Sequence, residues 1–94
     1  MIDVGNIVYY ARIIPQCDIY EVLGLTVRTV DDDGWCVGID NDGTKQAFPF
    51  DKEDVGTLIF FNAKEAEETV KTAKKKYGVR KLTKIKEGEE ENYE

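Results

Sequence analysis

The sequence contains no histidine, one tryptophan, two prolines and two cysteines among its 94 residues. Without histidine the commonest general base of enzymes is missing, and neither Cys17 nor Cys36 can form the usual cysteine–histidine pair. Two cysteines cannot supply the four ligands of a structural zinc site, and free thiols are favoured over a disulfide in a reducing compartment. The glycines are scattered singly, so a glycine-rich phosphate loop is missing too. We therefore expect a protein that is not an enzyme and that holds no cofactor and no metal.

Long apolar runs are also missing. No stretch approaches the ~20 apolar residues that span a bilayer, and the first residues lack the basic region and apolar core of a signal peptide. We therefore expect a cytoplasmic protein with no membrane association. The length allows one domain with one modest core, and an apolar content of 41% is enough to fold it.

Charge is unevenly distributed along the chain. The net charge is −6, but residues 1–62 hold 4 basic and 11 acidic side chains and residues 63–86 hold 9 basic and 3 acidic ones. Residues 87–94 then hold 5 acidic side chains and no basic one. The segment Lys71–Lys86 contains 8 lysines or arginines and no carboxylate. Such segregation can orient a charged partner over the ~8–10 Å that screening permits.

Five short segments have the pattern of strands. Residues 4–14 are rich in β-branched and aromatic side chains, and residues 20–30 alternate so that Leu23, Leu25 and Val27 share one face. Further strands are predicted at 35–39, 44–50 and 57–61, and Pro49 places the fourth at an edge or a bulge. In the fifth we expect Leu58 and Phe60 to face the core and Ile59 and Phe61 to face a helix.

The turns and one helix complete the secondary structure. Aspartates followed by glycine at 31–34 and 40–43 are typical of tight turns. Asn62 is a good N-cap, and Ala63, Ala66, Val70, Ala73 and Tyr77 form one apolar stripe at helical spacing. We expect this helix to end at Gly78. Residues 79–85 could add a strand or form a frayed arm, and residues 87–94 have too few apolar side chains to order.

These elements predict a mainly β, α+β fold. Strands and tight turns in this order are typical of a five-stranded SH3-like barrel, here followed by one C-terminal helix. The expected domain is residues 1–78, and residues 79–94 form a charged C-terminal tail that is partly disordered.

Three segments carry a resemblance to a family. GNIVYYARII at 5–14, VRTV at 27–30 and VGTLIFFNAKEA at 55–66 resemble short phage and prophage proteins of Firmicutes. The resemblance spans about residues 4–76 and implies an origin in a phage-infected or prophage-bearing bacterium. Its motifs are structural, so it implies a fold and no activity, and it gives no support to a function for the Lys71–Lys86 segment.

Candidate binding residues are the side chains that serve most often as interface anchors, together with the charged clusters. The partner-binding candidates are Tyr10, Arg12, Tyr20, Arg28, Asp31, Asp32, Asp33, Lys74, Lys75 and Lys76. The alternative is structural: Trp35 and one tyrosine lie in the core, the aspartates form turns, and the charges are solvated. The acidic turns do not match a calcium-binding EF-hand loop.

The leading functional hypothesis is a non-catalytic protein-interaction module of a phage or mobile element. The second is an anti-CRISPR-like or other anti-defence inhibitor, whose acidic surface would occupy the basic groove of a host nucleic-acid enzyme. A third is direct nucleic-acid binding through Lys71–Lys86, against which the net charge of −6 counts.

Overall fold

The computed structural model describes residues 2–43 and 45–90, with side chains as far as Gly78. Five strands precede one helix: β1 (Ile7–Ile14), β2 (Ile19–Val30), β3 (Trp35–Asp40), β4 (Ala47–Asp51), β5 (Ile59–Phe60) and α1 (Ala63–Glu90). Two 3-10 turns, Pro15–Cys17 and Lys52–Asp54, lie between β1 and β2 and between β4 and β5. The predicted class is confirmed, because the strands form one curled half-barrel sheet with a C-terminal helix.

All the strand pairs in the sheet are antiparallel, in the order β4-β3-β2-β1-β5. Strands β1 and β2 pair over their whole common length, from Ile7 opposite Thr26 to Ile14 opposite Ile19. The β2–β3 ladder shifts register between Val27 and Thr29, which marks a bulge. This bulge increases the local bend and helps the sheet to curl around its concave face.

The concave face carries the main core. Val8, Leu25, Val27 and Ile59 are almost completely buried there; the same cluster also includes Ile2, Cys36 and Phe50. The predicted inward face of β2 is therefore correct. Gly38 is part of this packing, because a Cβ atom on it would lie 2.9 Å from Leu25 Cδ1.

Strand β3 turns its small residues inward. Cys36 and Gly38 are buried, whereas Trp35 is 53% exposed. The alternative in which Trp35 belongs to the core is therefore wrong. Because Leu25 approaches Gly38 closely, the concave face has no room there for a larger side chain.

The convex side of the sheet holds α1. Ala11, Phe60 and Ala66 are buried between sheet and helix, with Val22 and Val70 packed beside them. Asn62 caps the helix as predicted, since its Oδ1 accepts a hydrogen bond from Lys64 N at 2.7 Å. The predicted facing of β5 is wrong by one residue: Ile59 enters the concave core and Phe60 packs against the helix.

The helix is longer than the sequence suggests. It continues through Gly78 to Glu90, so the predicted end at Gly78 and the possible added strand at 79–85 are both wrong. A single glycine costs a helix about 1 kcal/mol relative to alanine, which the flanking good helix formers offset. Of the tail expected to be disordered, residues 87–90 form the last helical turn and residues 91–94 lie outside the described residues.

Strand β4 is an edge strand, as Pro49 predicted. Lys52 N donates to Gly34 O at 2.8 Å and Asp40 N donates to Gln46 O at 2.9 Å. Backbone hydrogen bonds alternate along an antiparallel ladder. The backbone groups of Phe48 and Phe50 therefore bond to β3, whereas those of Ala47, Pro49 and Asp51 point outward. Proline has no N–H, and Asp51 N donates to Asp54 Oδ2 at 3.0 Å. The outer edge of β4 therefore offers one unpaired N–H, that of Ala47.

Candidate protein-interaction surface

One end of the half-barrel opens into an apolar pocket, here called the mouth pocket. Its apolar lining consists of Ile2, Val30, Val55 and Phe61. Ile2 and Val55 continue the concave core, while Val30 is 37% and Phe61 47% exposed. The volume is about 530 Å³, which is enough for one or two large side chains from a partner. Asp31, Asp32, Gly34 and Lys52 complete the lining.

The β2–β3 turn supplies the first acidic part of the rim. Asp31 Oδ1 accepts hydrogen bonds from Asp33 N and Trp35 N, both at 2.9 Å. Gly34 has a φ of +94°, a conformation that favours glycine. Asp31 therefore holds the turn together. The carboxylates of Asp32 and Asp33 make no hydrogen bond or ion pair within the described part of the chain.

The segment that follows β4 supplies the second acidic part. Asp51 Oδ1 accepts from Glu53 N at 3.1 Å, and Asp54 Oδ2 accepts from Asp51 N at 3.0 Å, so the two aspartates form a reciprocal capping box at the start of the 3-10 turn. The bond from Lys52 N to Gly34 O ties this turn to the first one.

Together these two turns bring six carboxylates to one end of the sheet. We call this set the acidic corner: Asp31, Asp32, Asp33, Asp51, Glu53 and Asp54. Lys52 is the one cation among them, and its aliphatic stem lies over Gly34. The three predicted aspartates at 31–33 are thus placed beside an apolar pocket that the sequence did not predict.

The acidic corner also affects the buried thiol of Cys36. Burial is the main cause that raises the pKa of Cys36, and the carboxylates of Asp31 and Asp51 raise that pKa further. The Cys36 thiol donates to Gly34 O at 3.7 Å. A thiol in this setting stays protonated near neutral pH, which is the opposite of an activated nucleophile. Cys17 is exposed, and both cysteines are free.

Tyr10 and Arg12 lie together on the sheet, outside the mouth pocket. Arg12 Nη1 forms an ion pair with Glu21 Oε2 at 2.9 Å, and its guanidinium lies 5.6 Å from the centre of the Phe48 ring. The Tyr10 ring is tilted against Phe48, with centroids 5.6 Å apart. These contacts engage both side chains within the chain itself.

Tyr20 and Arg28 occupy two other places. The Tyr20 hydroxyl is buried and makes no hydrogen bond within the described residues, so it is not an exposed polar contact. Arg28 is exposed at the bulge of β2 and lines a shallow depression with Val4, Thr26 and Asn41.

The predicted lysines lie on α1. Lys74, Lys75 and Lys76 are exposed, and Lys76 Nζ lies 5.4 Å from the centre of the Tyr77 ring. Lys76 also lines an open groove of about 800 Å³ beside the helix, together with Ile13, Pro15 and Phe60. The structure therefore divides the predicted residues among separate places, and only Asp31 and Asp32 line the mouth pocket.

The sequence alone did not indicate the apolar lining of the pocket. Phe61 ends a run of apolar residues that has no alternation, and Val30 is the last residue of a strand. A large apolar residue that stands next to a predicted turn and has no place in the expected core is the sequence signal that could have indicated Val30 and Phe61.

Three further findings concern metal binding, membrane crossing and similarity to known proteins. Among the described residues no group of three histidine, cysteine, aspartate or glutamate side chains is arranged to hold a metal ion. No helix in the described part of the chain is both long enough and apolar enough to cross a membrane. No family model, curated protein or solved structure matches the chain, so the resemblance to phage proteins stays an expectation.

Proposed function

We propose that this chain is a non-catalytic protein-interaction module that binds its partner at the mouth pocket. The observation that carries the proposal is the exposure of Phe61 and Val30 in an apolar pocket continuous with the core. Apolar side chains left exposed around a concave site are typical of surfaces that another molecule covers. The partly exposed Phe61 ring would be the main anchor, since large aromatic side chains contribute most to binding energy.

The non-catalytic part of the proposal rests on chemistry. The chain has no histidine, and the buried thiol of Cys36 has a raised pKa. Three acidic side chains of the corner, those of Asp31, Asp51 and Asp54, accept hydrogen bonds from turn backbone, which explains them without a reaction. The origin in a phage or mobile element belongs to the proposal through the resemblance of residues 4–76, and a cytoplasmic location is proposed with it.

Affinity capture from a bacterial lysate tests this function. The tag should follow Glu94, because Ile2 lines the pocket. We expect the wild-type chain to retain a partner that the Phe61→Ser variant loses. Val4→Ser is the control, since Val4 is an apolar residue that is even more exposed than Phe61 and lies outside the mouth pocket. Equal retention by all three proteins would refute binding at the mouth pocket.

The second candidate function is inhibition of a host nucleic-acid enzyme. The acidic corner favours it, because six carboxylates at one end of a small domain could occupy a groove that otherwise binds phosphates. The test is a nuclease assay on the captured partner. A nuclease whose cleavage falls when the wild-type chain is added supports inhibition, and an unaffected nuclease or a partner of another kind refutes it.

A further inference from the structure

We infer that the partner segment is a basic peptide in which one large apolar side chain lies between lysines or arginines. This inference rests on the proposed function and specifies its ligand. The apolar side chain would enter the mouth pocket against Val30 and Phe61, while the flanking cations would meet the acidic corner. Neither feature alone selects this ligand; the two lie side by side in the structure.

The mouth pocket has room for a large apolar side chain. Its volume of about 530 Å³ exceeds that of a single leucine or phenylalanine side chain, and its floor is formed by the buried Ile2 and the half-buried Val55. A partner residue seated there would lose its contact with water, and burial of a large aromatic or aliphatic side chain strengthens binding. The exposed part of the Phe61 ring can also attract a cation that passes over its face.

The acidic corner carries carboxylates that are unpaired within the described residues. The carboxylates of Asp32, Asp33 and Glu53 make no hydrogen bond or ion pair within the described part of the chain. Lys52 is the one lysine in the acidic corner, so the corner keeps a strong negative charge. A neutral or acidic peptide would leave these carboxylates unpaired or repelled, whereas flanking lysines or arginines would form charge-assisted hydrogen bonds with them.

Recognition of partner side chains suits the site better than addition of the partner as an extra β-strand at the edge of β4. Pro49 and Asp54 remove two of the three outward donor positions of β4, so backbone pairing offers little. Recognition must therefore come from side chains that enter the pocket and contact its rim. This requirement is met by a short segment of any backbone conformation that presents one apolar residue with a cation on each side.

Three synthetic peptides test the ligand class by NMR titration of the isotopically labelled full chain. They are Gly-Ser-Lys-Lys-Phe-Lys-Lys-Ser-Gly, the same peptide with serine in place of phenylalanine, and the same peptide with glutamates in place of lysines. We expect the first to shift the signals of Val30, Gly34 and Phe61, and to bind about tenfold more tightly than the second. The glutamate peptide should not bind. Affinity of the first should fall at least about threefold between 0.05 M and 0.3 M NaCl.

Substitutions then test whether the acidic corner supplies the electrostatic part of the peptide affinity. Asp32→Asn should weaken the first peptide about two- to threefold, while Asp42→Asn should leave its affinity unchanged. Asp42 is the matched control because it is an exposed aspartate in the other tight turn. Lys52→Gln should tighten binding about twofold, since it removes the one cation of the rim.

Several results would overturn the inference. They are equal binding by the phenylalanine and serine peptides, tighter binding by the glutamate peptide, or shifts that map to other parts of the sheet. Signals of Val30 and Phe61 that move on dilution without any peptide would show a second copy of this chain in the pocket, and would also overturn it. If no peptide binds but Phe61→Ser still loses the captured partner, the interaction function stands and the basic-peptide ligand fails.

Discussion

Two apolar layers lie on opposite sides of β1, and they are built from side chains of different size. On the concave side Val8 packs with Leu25 and Ile59, while on the convex side Ala11 meets Ala66 and Phe60. The centres of the two layers are equally buried, since Val8, Leu25, Ala11 and Ala66 have no exposed surface. The buried fraction of a side chain therefore does not measure its stabilisation, because a buried alanine removes less apolar area from water than a buried valine or leucine.

The two layers have different roles. The concave core holds the sheet in its curl and shapes the floor of the mouth pocket through Ile2 and Val55. The convex layer attaches a helix through the small buried side chain of Ala66 and the partly buried Val70. We therefore expect the sheet to determine global stability and the helix to open locally at a lower free energy.

The largest expected effect is that of Leu25→Ala. Removing this fully buried side chain should lower the free energy of unfolding by about 3 kcal/mol, through lost burial and the cavity left behind. Denaturant unfolding followed by Trp35 fluorescence measures it. Gly38→Ala should also destabilise the wild-type chain, because its Cβ would lie 2.9 Å from Leu25 Cδ1. In the Leu25→Ala background that cost should shrink, and strict additivity would contradict the close packing.

Ala66→Leu should have the next largest effect. The new side chain has no space between Ala11 and Phe60, so we expect a loss of about 2 kcal/mol. Hydrogen exchange should become faster in the first half of α1 and stay unchanged at Val8 and Leu25. Glu67→Leu, one residue further along on the exposed surface, is the control and should change stability by less than about 0.5 kcal/mol. Equal loss of protection in sheet and helix would show that the two layers unfold as one unit.

Asn62→Ala should cost about 1 kcal/mol, because it leaves Lys64 N without its acceptor at the helix start. Asn62→Asp keeps a side-chain acceptor and should retain most of the stability. Thermal unfolding of the three proteins provides the measurement. If Asn62→Ala and Asn62→Asp lost the same stability, capping would not be the cause.

The smallest effect is expected on the surface of the sheet. Glu21→Gln removes the ion pair with Arg12. The side chain of Arg12 is 29% exposed and that of Glu21 is 44% exposed. An exposed pair of this kind contributes about 0.3 kcal/mol, because water and salt already screen it. Denaturant unfolding at low and high salt should show a difference that vanishes in high salt. A loss above about 1 kcal/mol would mean that the Arg12 contact with Phe48 depends on Glu21.

The sequence predicted the fold best where the apolar pattern had one interpretation. The alternation of Leu23, Leu25 and Val27 indicated the concave face, and Asn62 indicated the start of the helix. In contrast, residues 57–61 are apolar on both faces, so the pattern could not decide whether Ile59 or Phe60 enters the core. The inward side of β3 carries Cys36 and Gly38, which are too small to suggest a core, so Trp35 was the misleading signal.

The candidate site was predictable only in part. Asp31 and Asp32 were found because consecutive aspartates before a glycine indicate an exposed turn. Val30 and Phe61 were missed, because their proximity depends on how the sheet curls and brings the end of β2 near the end of β5. Charge clusters can be read from adjacent residues, whereas a pocket between distant segments requires the tertiary structure.

The blunted edge of β4 has a consequence for the whole molecule. A half-barrel leaves two sheet edges unjoined, and an unjoined edge commonly recruits further strands into fibrils. Here one proline and one aspartate cap make the outer side of β4 a poor template. At this edge the fold can therefore stay open, and accessible to a partner at its mouth, without adding further strands.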